Sequence, residues 1–175
     1  MRLGKSPEGT TDNCHQRKLV GEGQEMPGSY VSLYYHIIFS TKDRQRWLEE
    51  RVRERLWAYM GGILKNHGGT PISIGGVEDH AHMVISLHQT VTVADTVRDV
   101  KANSTAWVKS MYPDLAEFAW QEAYAAFTLH WGILESAKGY VARQEEHHRE
   151  QSFQDEVIRF LKRHGVEYDE RYMWK

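Results

Sequence analysis

The order in which strand-like and helix-like runs alternate constrains this chain's fold more than any other feature. SYVSLYYHIIFSTK, residues 29–42, is dense in Tyr, Val, Ile and Phe over the length of one strand. WLEERVRERLWAYMGGILKNHG, 47–68, sets Leu48, Val52, Leu56, Trp57, Met60, Ile63 and Leu64 at steps of three and four and stops at Gly68 and Gly69, which predicts a helix. TPISIGGVEDHAHMVISLH, 70–88, holds two strand-like runs about GGVED, the pattern of a hairpin or bulged strand pair. A second helix is expected over 92–114, with a Thr92 cap, an apolar face of Val93, Val97, Val100 and Trp107, and a stop before Pro113. FAWQEAYAAFTLH, 118–130, alternates as one more strand. Helices follow over 133–151, interrupted at Gly139, and over 153–165, where Phe153, Val157, Phe160 and Leu161 share a face. The order β-α-β-β-α-β-α-α implies an α+β domain: a ferredoxin-like or RRM-like antiparallel sheet with helices packed on one face, plus C-terminal helices.

Length and composition bound the rest. At 175 residues the chain suits one domain with a real core. Residues 1–28 are polar and aperiodic and are expected to be a flexible leader, with Met26 a candidate internal start and 29–175 the single domain. No apolar run approaches the roughly 18 residues of a membrane span, so a soluble, cytoplasmic protein with no membrane partner is expected. The lone Cys14 supports neither an internal disulfide nor a thiolate metal site, which leaves His, carboxylate and amide as metal donors. The net charge of −2 gives no global field for nucleic acid, yet residues 29–112 carry 10 Lys/Arg against 8 Asp/Glu, whereas 113–175 carry 8 against 12. Polyanion contact is therefore expected to be local and mainly in the first half.

Two separated stretches carry chemistry. On a strand, His80 and His82 face the same side about 6–7 Å apart, where two imidazoles can converge on one divalent cation, while Ala81 faces away. Asp79 and Glu78 stand beside them as candidate partners that orient the rings. Within GYVARQEEHH, Tyr140 and Gln144 are one helical turn apart, so one face could present a nucleophilic phenol beside an amide oxygen that binds metal. His147 and His148 continue near that face, and His148 rivals Gln144 as the third donor. On spacing alone Tyr140 reads as a packed core residue with its hydroxyl at the rim sooner than as a nucleophile.

Taken together, SYVSLYYHIIFSTKDRQRWL, EDHAHMVISL, FAWQEAYAAFTLH and GYVARQEEHHREQSFQDEVIRFLKRHGVEYDERYMW resemble the single-tyrosine HUH transposases of the insertion sequence 200/605 family, from about Ser29 to Trp174. The resemblance implies that His80, His82 and Gln144 bind Mg2+ or Mn2+ and that Tyr140 is the nucleophile. It implies cleavage and rejoining of single-stranded DNA at hairpin-bearing element ends through a 5′-phosphotyrosine, without ATP. It also implies a homodimer in which the tyrosine helix can complete either subunit's site, with Gly139 suited to a hinge. Ala81 departs from the bulky hydrophobic residue usual in that family between the two histidines, which bears on packing more than on catalysis. A free tyrosine is mostly protonated at neutral pH, and a metal-bound water or His148 are the candidates for handling its proton.

For DNA, Lys42, Arg44 and Arg46 are the first candidates for phosphate contacts, followed by Arg98, Lys101 and Lys109; Tyr34, Tyr35 and Trp120 are candidates for stacking on bases. Two other functions fit the same residues. One is a domesticated hairpin-binding relative acting on repetitive extragenic palindromes. The other is a metal-dependent phosphoesterase using the His pair and a carboxylate such as Glu78 or Asp79.

Overall fold

Strand β1 (Tyr34–Ser40) is apolar on both faces: Ile37 and Phe39 point to one side, His36, Ile38 and Ser40 to the other, and all five are buried. Strand β3 (His80–Leu87) repeats the pattern, with Ala81, Met83, Ile85 and Leu87 on the first face and His80, His82 and Val84 on the second. Strands covered on both sides belong at the centre of a sheet. The computed structural model, which describes residues 29–149 and 151–173 apart from the Tyr172 side chain, places them there. The sheet runs β2-β3-β1-β4, with β2 (Gly69–Val77) and β4 (Ala125–Leu129) at its edges and every neighbouring pair antiparallel. This is the expected α+β, ferredoxin-like arrangement. The expected leader at 1–28, with Met26, lies outside the described residues.

Helices α1 (Glu50–Asn66) and α2 (Val93–Met111) cover the first face. Val52, Leu56, Met60 and Leu64 of α1 join Val97, Val100 and Val108 of α2 and the first-face residues of β1 and β3 in one core. Burying each such side chain contributes about 1.5–3 kcal/mol relative to exposure. Gly68, at φ +74, supplies the left-handed residue just past the end of α1. The Thr92 hydroxyl oxygen accepts from the Asp95 amide at 3.0 Å and caps α2 as expected. Ala81 is fully buried in this core, facing away from its histidine neighbours.

The second face is covered by α3 (Leu134–Ala142), α4 (Gln144–His147) and α5 (Phe153–Arg163), followed by α6 (Glu170–Met173). Phe153, Val157 and Leu161 of α5 pack on Ile38 and Phe127 in a second, smaller core. Helices therefore lie on both faces of the sheet. Among the described residues, no helix is long and apolar enough to cross a membrane.

Several element boundaries differ from the sequence expectation; β1, expected over 29–42, is confined to Tyr34–Ser40, and two other differences bear on the site. The fourth strand starts at Ala125 rather than near 118, because Phe118 and Trp120 turn into the first core and the chain is pinned irregularly by Lys42 N–H to Ala119 O (2.8 Å) and Gln121 N–H to Ser40 O (2.9 Å). Gly139 does not interrupt its helix. The break falls at Arg143, at φ −104 and ψ 23, so Tyr140 and Gln144 stand on consecutive short helices instead of one face of a single helix.

Candidate active site

Close packing sets the tyrosine helix on the sheet. Gly75 pairs with His82, and a Cβ at Gly75 would fall 2.9 Å from Val141 Cγ1 and 3.0 Å from Val141 O. Only a bare backbone lets α3 settle this low. Tyr140, the residue before Val141, then lies edge-on to His82 and His36, with ring centroids 6.0 and 6.1 Å away. The β2–β3 turn is equally tight: Gly76 has φ +154, and a Cβ there would lie 2.2 Å from His80 O. That turn consists of Glu78 and Asp79, while Gly75, Gly76 and Val77 belong to β2.

On the other side, Ser152 caps α5 by accepting from the Asp155 amide at 3.2 Å. The helix sets Phe153 against His80, ring centroids 4.5 Å apart, and brings Glu156, one turn on, over the histidine pair. Glu156 is fully buried and is the hub of the site. Its Oε1 accepts from the Tyr140 hydroxyl and, at 3.3 Å, from Gln144 Nε2. Its Oε2 lies 3.4 Å from His82 Nε2, 3.3 Å from His148 Nε2 and 3.9 Å from His80 Nε2. Gln144 Oε1 lies 3.4 Å from His80 Nε2.

The outward nitrogens of the three rings are each anchored. His80 Nδ1 donates to Asp79 Oδ1 at 2.7 Å, and Arg44 holds Asp79 Oδ2 through Nη2 at 2.8 Å and Nε at 3.2 Å. His148 Nδ1 donates to Gln151 O at 2.9 Å, and His82 Nδ1 meets His36 Nε2 at 2.9 Å. Anchored in this way, a neutral ring turns the Nε2 lone pair inward, as metal-binding histidines do. Arg44 reaches Asp79 from a backbone in which it and Asp43 both have positive φ, of 56° and 52°. For residues with a Cβ this is a strained turn that the Arg44–Asp79 pair helps to hold.

The electrostatics follow from burial and from Glu156. Burial, with the neighbouring His82, pushes His36 down to about 3, and burial pushes His82 down to about 4 in spite of Glu156. Burial alone would raise Glu156, but His148, His82 and Tyr140 around it hold its carboxyl well below the usual range. Burial and the Glu156 charge push the Tyr140 phenol up, whereas Arg159, with Nη2 3.4 Å from Tyr140 Oη, acts in the opposite sense. Burial works against the Asp79 charge too, but His80 and Arg44 bring its pKa down to about 2.

His80, His82, Gln144 and Tyr140 therefore converge within one chain. Glu156, His36 and Arg159 were not among the expected site residues. Glu156 left one trace in the sequence, as a carboxylate amid the apolar positions 153, 157, 160 and 161. The candidate phosphate-binding cations are placed unevenly. Lys42 is exposed; Arg46 reaches Glu78 at 3.2 Å, and Arg98 pairs with Asp95 and Asp99. Lys101 is a correction to the expected surface role. Its ammonium donates to the carbonyls of Gln121, Glu122 and Ala123 at 2.8, 3.1 and 2.8 Å, and burial lowers it to about 8. Trp120 is likewise a core residue, with its indole donating to Ser104 Oγ at 2.9 Å, so it is not free to stack on a base.

Tyr140 and Gln144 thus stand beside the strand-borne pair His80 and His82, with Glu156 between them. The chain belongs to the family described as transposase IS200 like, whose model matches residues 29–144. It is similar to the ISDra2 transposase TnpA of Deinococcus radiodurans, with 24% identity over 124 residues that cover 68% of this chain and 89% of that protein. Its fold is similar to that of a Deinococcus radiodurans R1 protein described as a candidate transposase, with TM-score 0.55 and 22% identity, covering 71% of this chain and 97% of that one. It is also similar in fold to a REP-associated tyrosine transposase bound to a REP hairpin, with TM-score 0.53 and 12% identity, covering 72% and 74%.

Proposed function

We propose that this chain cleaves and rejoins single-stranded DNA at the ends of a mobile element, with Tyr140 as nucleophile and a divalent cation, Mg2+ or Mn2+, as cofactor. One observation carries the reading: the Tyr140 hydroxyl and the inward nitrogens of His82 and His148 meet at a single buried carboxylate. The donor chemistry fits a cation. His82 Nε2, His148 Nε2 and Glu156 Oε2 are buried without a hydrogen-bond partner, an arrangement that is unfavourable unless a positive charge lies among them. His80 and His82 would hold the ion, with Gln144 as the amide donor the resemblance implies. When bound, it would offset charge on the oxygens of the scissile phosphate.

The chain's own residues position the attack. By donating its hydrogen to Glu156 Oε1, Tyr140 keeps its oxygen lone pairs directed away from that carboxylate. Arg159, beside Oη, is placed to meet an arriving phosphate. Attack forms the Tyr140 Oη–phosphorus bond and breaks the phosphorus–O3′ bond, and the phenol proton passes to Glu156 Oε1. The leaving 3′-oxygen takes up a proton from solvent to become a hydroxyl, and that hydroxyl can later reverse the 5′-phosphotyrosine. Lys42, Arg44, Arg46 and Arg98 remain the proposed phosphate contacts, with a hairpin end as the DNA partner and a homodimer as the working unit. The test is a labelled single-stranded element end incubated with protein and Mn2+. A covalent adduct is expected that Tyr140→Phe abolishes; an adduct surviving that change refutes the assignment.

Two other readings keep an observation each. Likeness in fold to the hairpin-bound REP-associated protein favours a domesticated hairpin-binding relative, for which binding without cleavage under every metal would speak. Glu156 supplies a carboxylate for a phosphoesterase, although Glu78 and Asp79 do not, being turned to Arg46 and to Arg44 and His80. Undiminished phosphoester turnover by Tyr140→Phe would favour that reading.

A further inference from the structure

We infer that the groove between edge strand β2 and helices α3 and α4 carries the DNA strand onward from the scissile phosphate, with Arg143 and Arg149 on its phosphates and Trp57 against one of its bases. This inference rests on the reading of the chain as an enzyme of single-stranded DNA and names where the strand runs. The groove holds about 450 Å3, within the roughly 300–1,000 Å3 of small-ligand sites, so it admits a nucleotide. It is lined by Trp57 of α1, Ile74 of β2, and Val141 and Gln144 on either side of the break after the tyrosine helix. The groove therefore opens directly beside the segment that presents the nucleophile.

Two cations in this groove are open to a ligand. Arg143 and Arg149 both line it and are exposed, and among the described residues neither guanidinium has a hydrogen-bond or ion-pair partner. Arg53 takes up Glu145 at 2.8 Å, which leaves the two free guanidiniums against the carboxylate of Glu146. Arg143 also lies close to the nucleophile. A Cβ at Gly139 would fall 3.3 Å from Arg143 Nη1 and 3.6 Å from Nη2, so the guanidinium folds back over the residue before Tyr140. The bare backbone at Gly139 makes room for it. A planar, permanently charged fork in that place suits a phosphate next to the one under attack. Trp57 supplies the apolar part. It is half-buried against the first core, and among the described residues its indole N–H has no protein acceptor, whereas the indole of Trp120 donates to Ser104. An aromatic wall beside unpaired cations matches an unpaired strand, in which every base offers a π-face and every phosphate a charge.

The test is fluorescence anisotropy of a labelled oligodeoxythymidine of roughly 12 nucleotides, bound by the full chain in chelator over a series of salt concentrations, with thermal unfolding as the check of folding. Arg143→Ala and Arg149→Ala are each expected to weaken binding about threefold or more at low salt and to reduce the log–log salt slope by about 0.7, and Arg143→Lys should restore the slope. Trp57→Leu should weaken binding about 5- to 100-fold with the slope unchanged, and Trp57→Phe, which keeps a ring, should recover most of the loss. A strand carrying iododeoxyuridine should photocrosslink to Trp57 in the wild type, which decides the base contact if Trp57→Leu does not fold. Arg163→Ala removes an exposed cation of α5 outside the groove and should leave affinity and slope as in the wild type. Unchanged slopes in both arginine variants, or a crosslink falling wholly outside the groove, would overturn the inference. Loss of dimer in those variants with strand binding intact would overturn it too and assign the groove to a second copy of the chain. Adduct formation on the element end, measured in parallel, judges the underlying reading separately: no adduct, with the slopes falling as expected, would sink cleavage and leave the strand in its groove.

Discussion

Gly75→Ala is the smallest change that should move the nucleophile without touching it. The new methyl would start 2.9 Å from Val141 Cγ1 and 3.0 Å from Val141 O. Carbon contacts relax at about 3.5–4.0 Å, so α3 must lift by roughly half an ångström or more. The side chain could rotate aside, but the carbonyl is helix backbone and cannot. Overpacking of this kind costs about 1–3 kcal/mol, or a fall of roughly 3–9 °C in Tm for a domain of this size. A displacement of the Tyr140 oxygen approaching 1 Å can lower a positioned reaction by up to about 100-fold. The same substitution at Gly62 supplies the control. It lies on the exposed side of α1 with nothing within 4 Å of the added carbon, and it should stabilise by about 0.5–1 kcal/mol with adduct formation unchanged. Thermal unfolding and the rate of adduct formation on a labelled strand measure both variants. If Gly75→Ala matched wild type in Tm and rate, the argument that bare backbone seats the tyrosine helix would be wrong.

Acid should destabilise the chelator-treated protein early. His36 and His82 stay neutral when folded but take up protons near pH 6.5 when unfolded, so stability is fully present above that pH and is lost as pH falls toward 4. Two such protons give a slope approaching about 2.7 kcal/mol per pH unit near pH 5, which His36→Gln should roughly halve; urea midpoints across pH 7 to 4.5 read it directly. Lys101→Met keeps the stem near Phe39 but abandons three carbonyls, and should cost about 1–3 kcal/mol while leaving the salt dependence of DNA affinity unchanged. Lys42→Ala, at an exposed position, should do the reverse, with stability unchanged and the log–log salt slope reduced by about one. Arg159→Ala should slow adduct formation about tenfold or more without lowering Tm by more than about 2 °C; an unchanged rate would remove Arg159 from the site.

Periodicity carried the fold because each main element keeps one clean signal: three- and four-residue steps in α1 and α2, and runs buried on both faces in β1 and β3. It failed where tertiary contacts override local pattern. Nothing local to 118–124 reveals that Lys101, twenty residues back, draws three carbonyls around its ammonium and ends the strand pattern there. Gly139 reads as a helix breaker, yet its helix runs through to Ala142 and the break falls at Arg143. His80 and His82 stood out as a same-face pair on a strand, but spacing alone did not give Tyr140 and Gln144 their expected roles, which came from the family resemblance, and the structure sets those two on consecutive helices. Glu156 was hidden by its setting. A lone acid on an apolar stripe reads as a solvated neighbour until the helix is docked over the histidines, and only docking shows that its carboxylate has nowhere else to go.

The family match closes at Gln144, just short of His148 and Glu156. Helix α5 anchors the smaller core through Phe153, Val157 and Leu161 and delivers the acid from the same turns, so it cannot drift for one purpose without disturbing the other. Divergence among relatives would therefore be expected to act on this tail as a unit. Exchanging it between relatives would carry the buried acid along with the smaller core, and leave the four-stranded platform as it was.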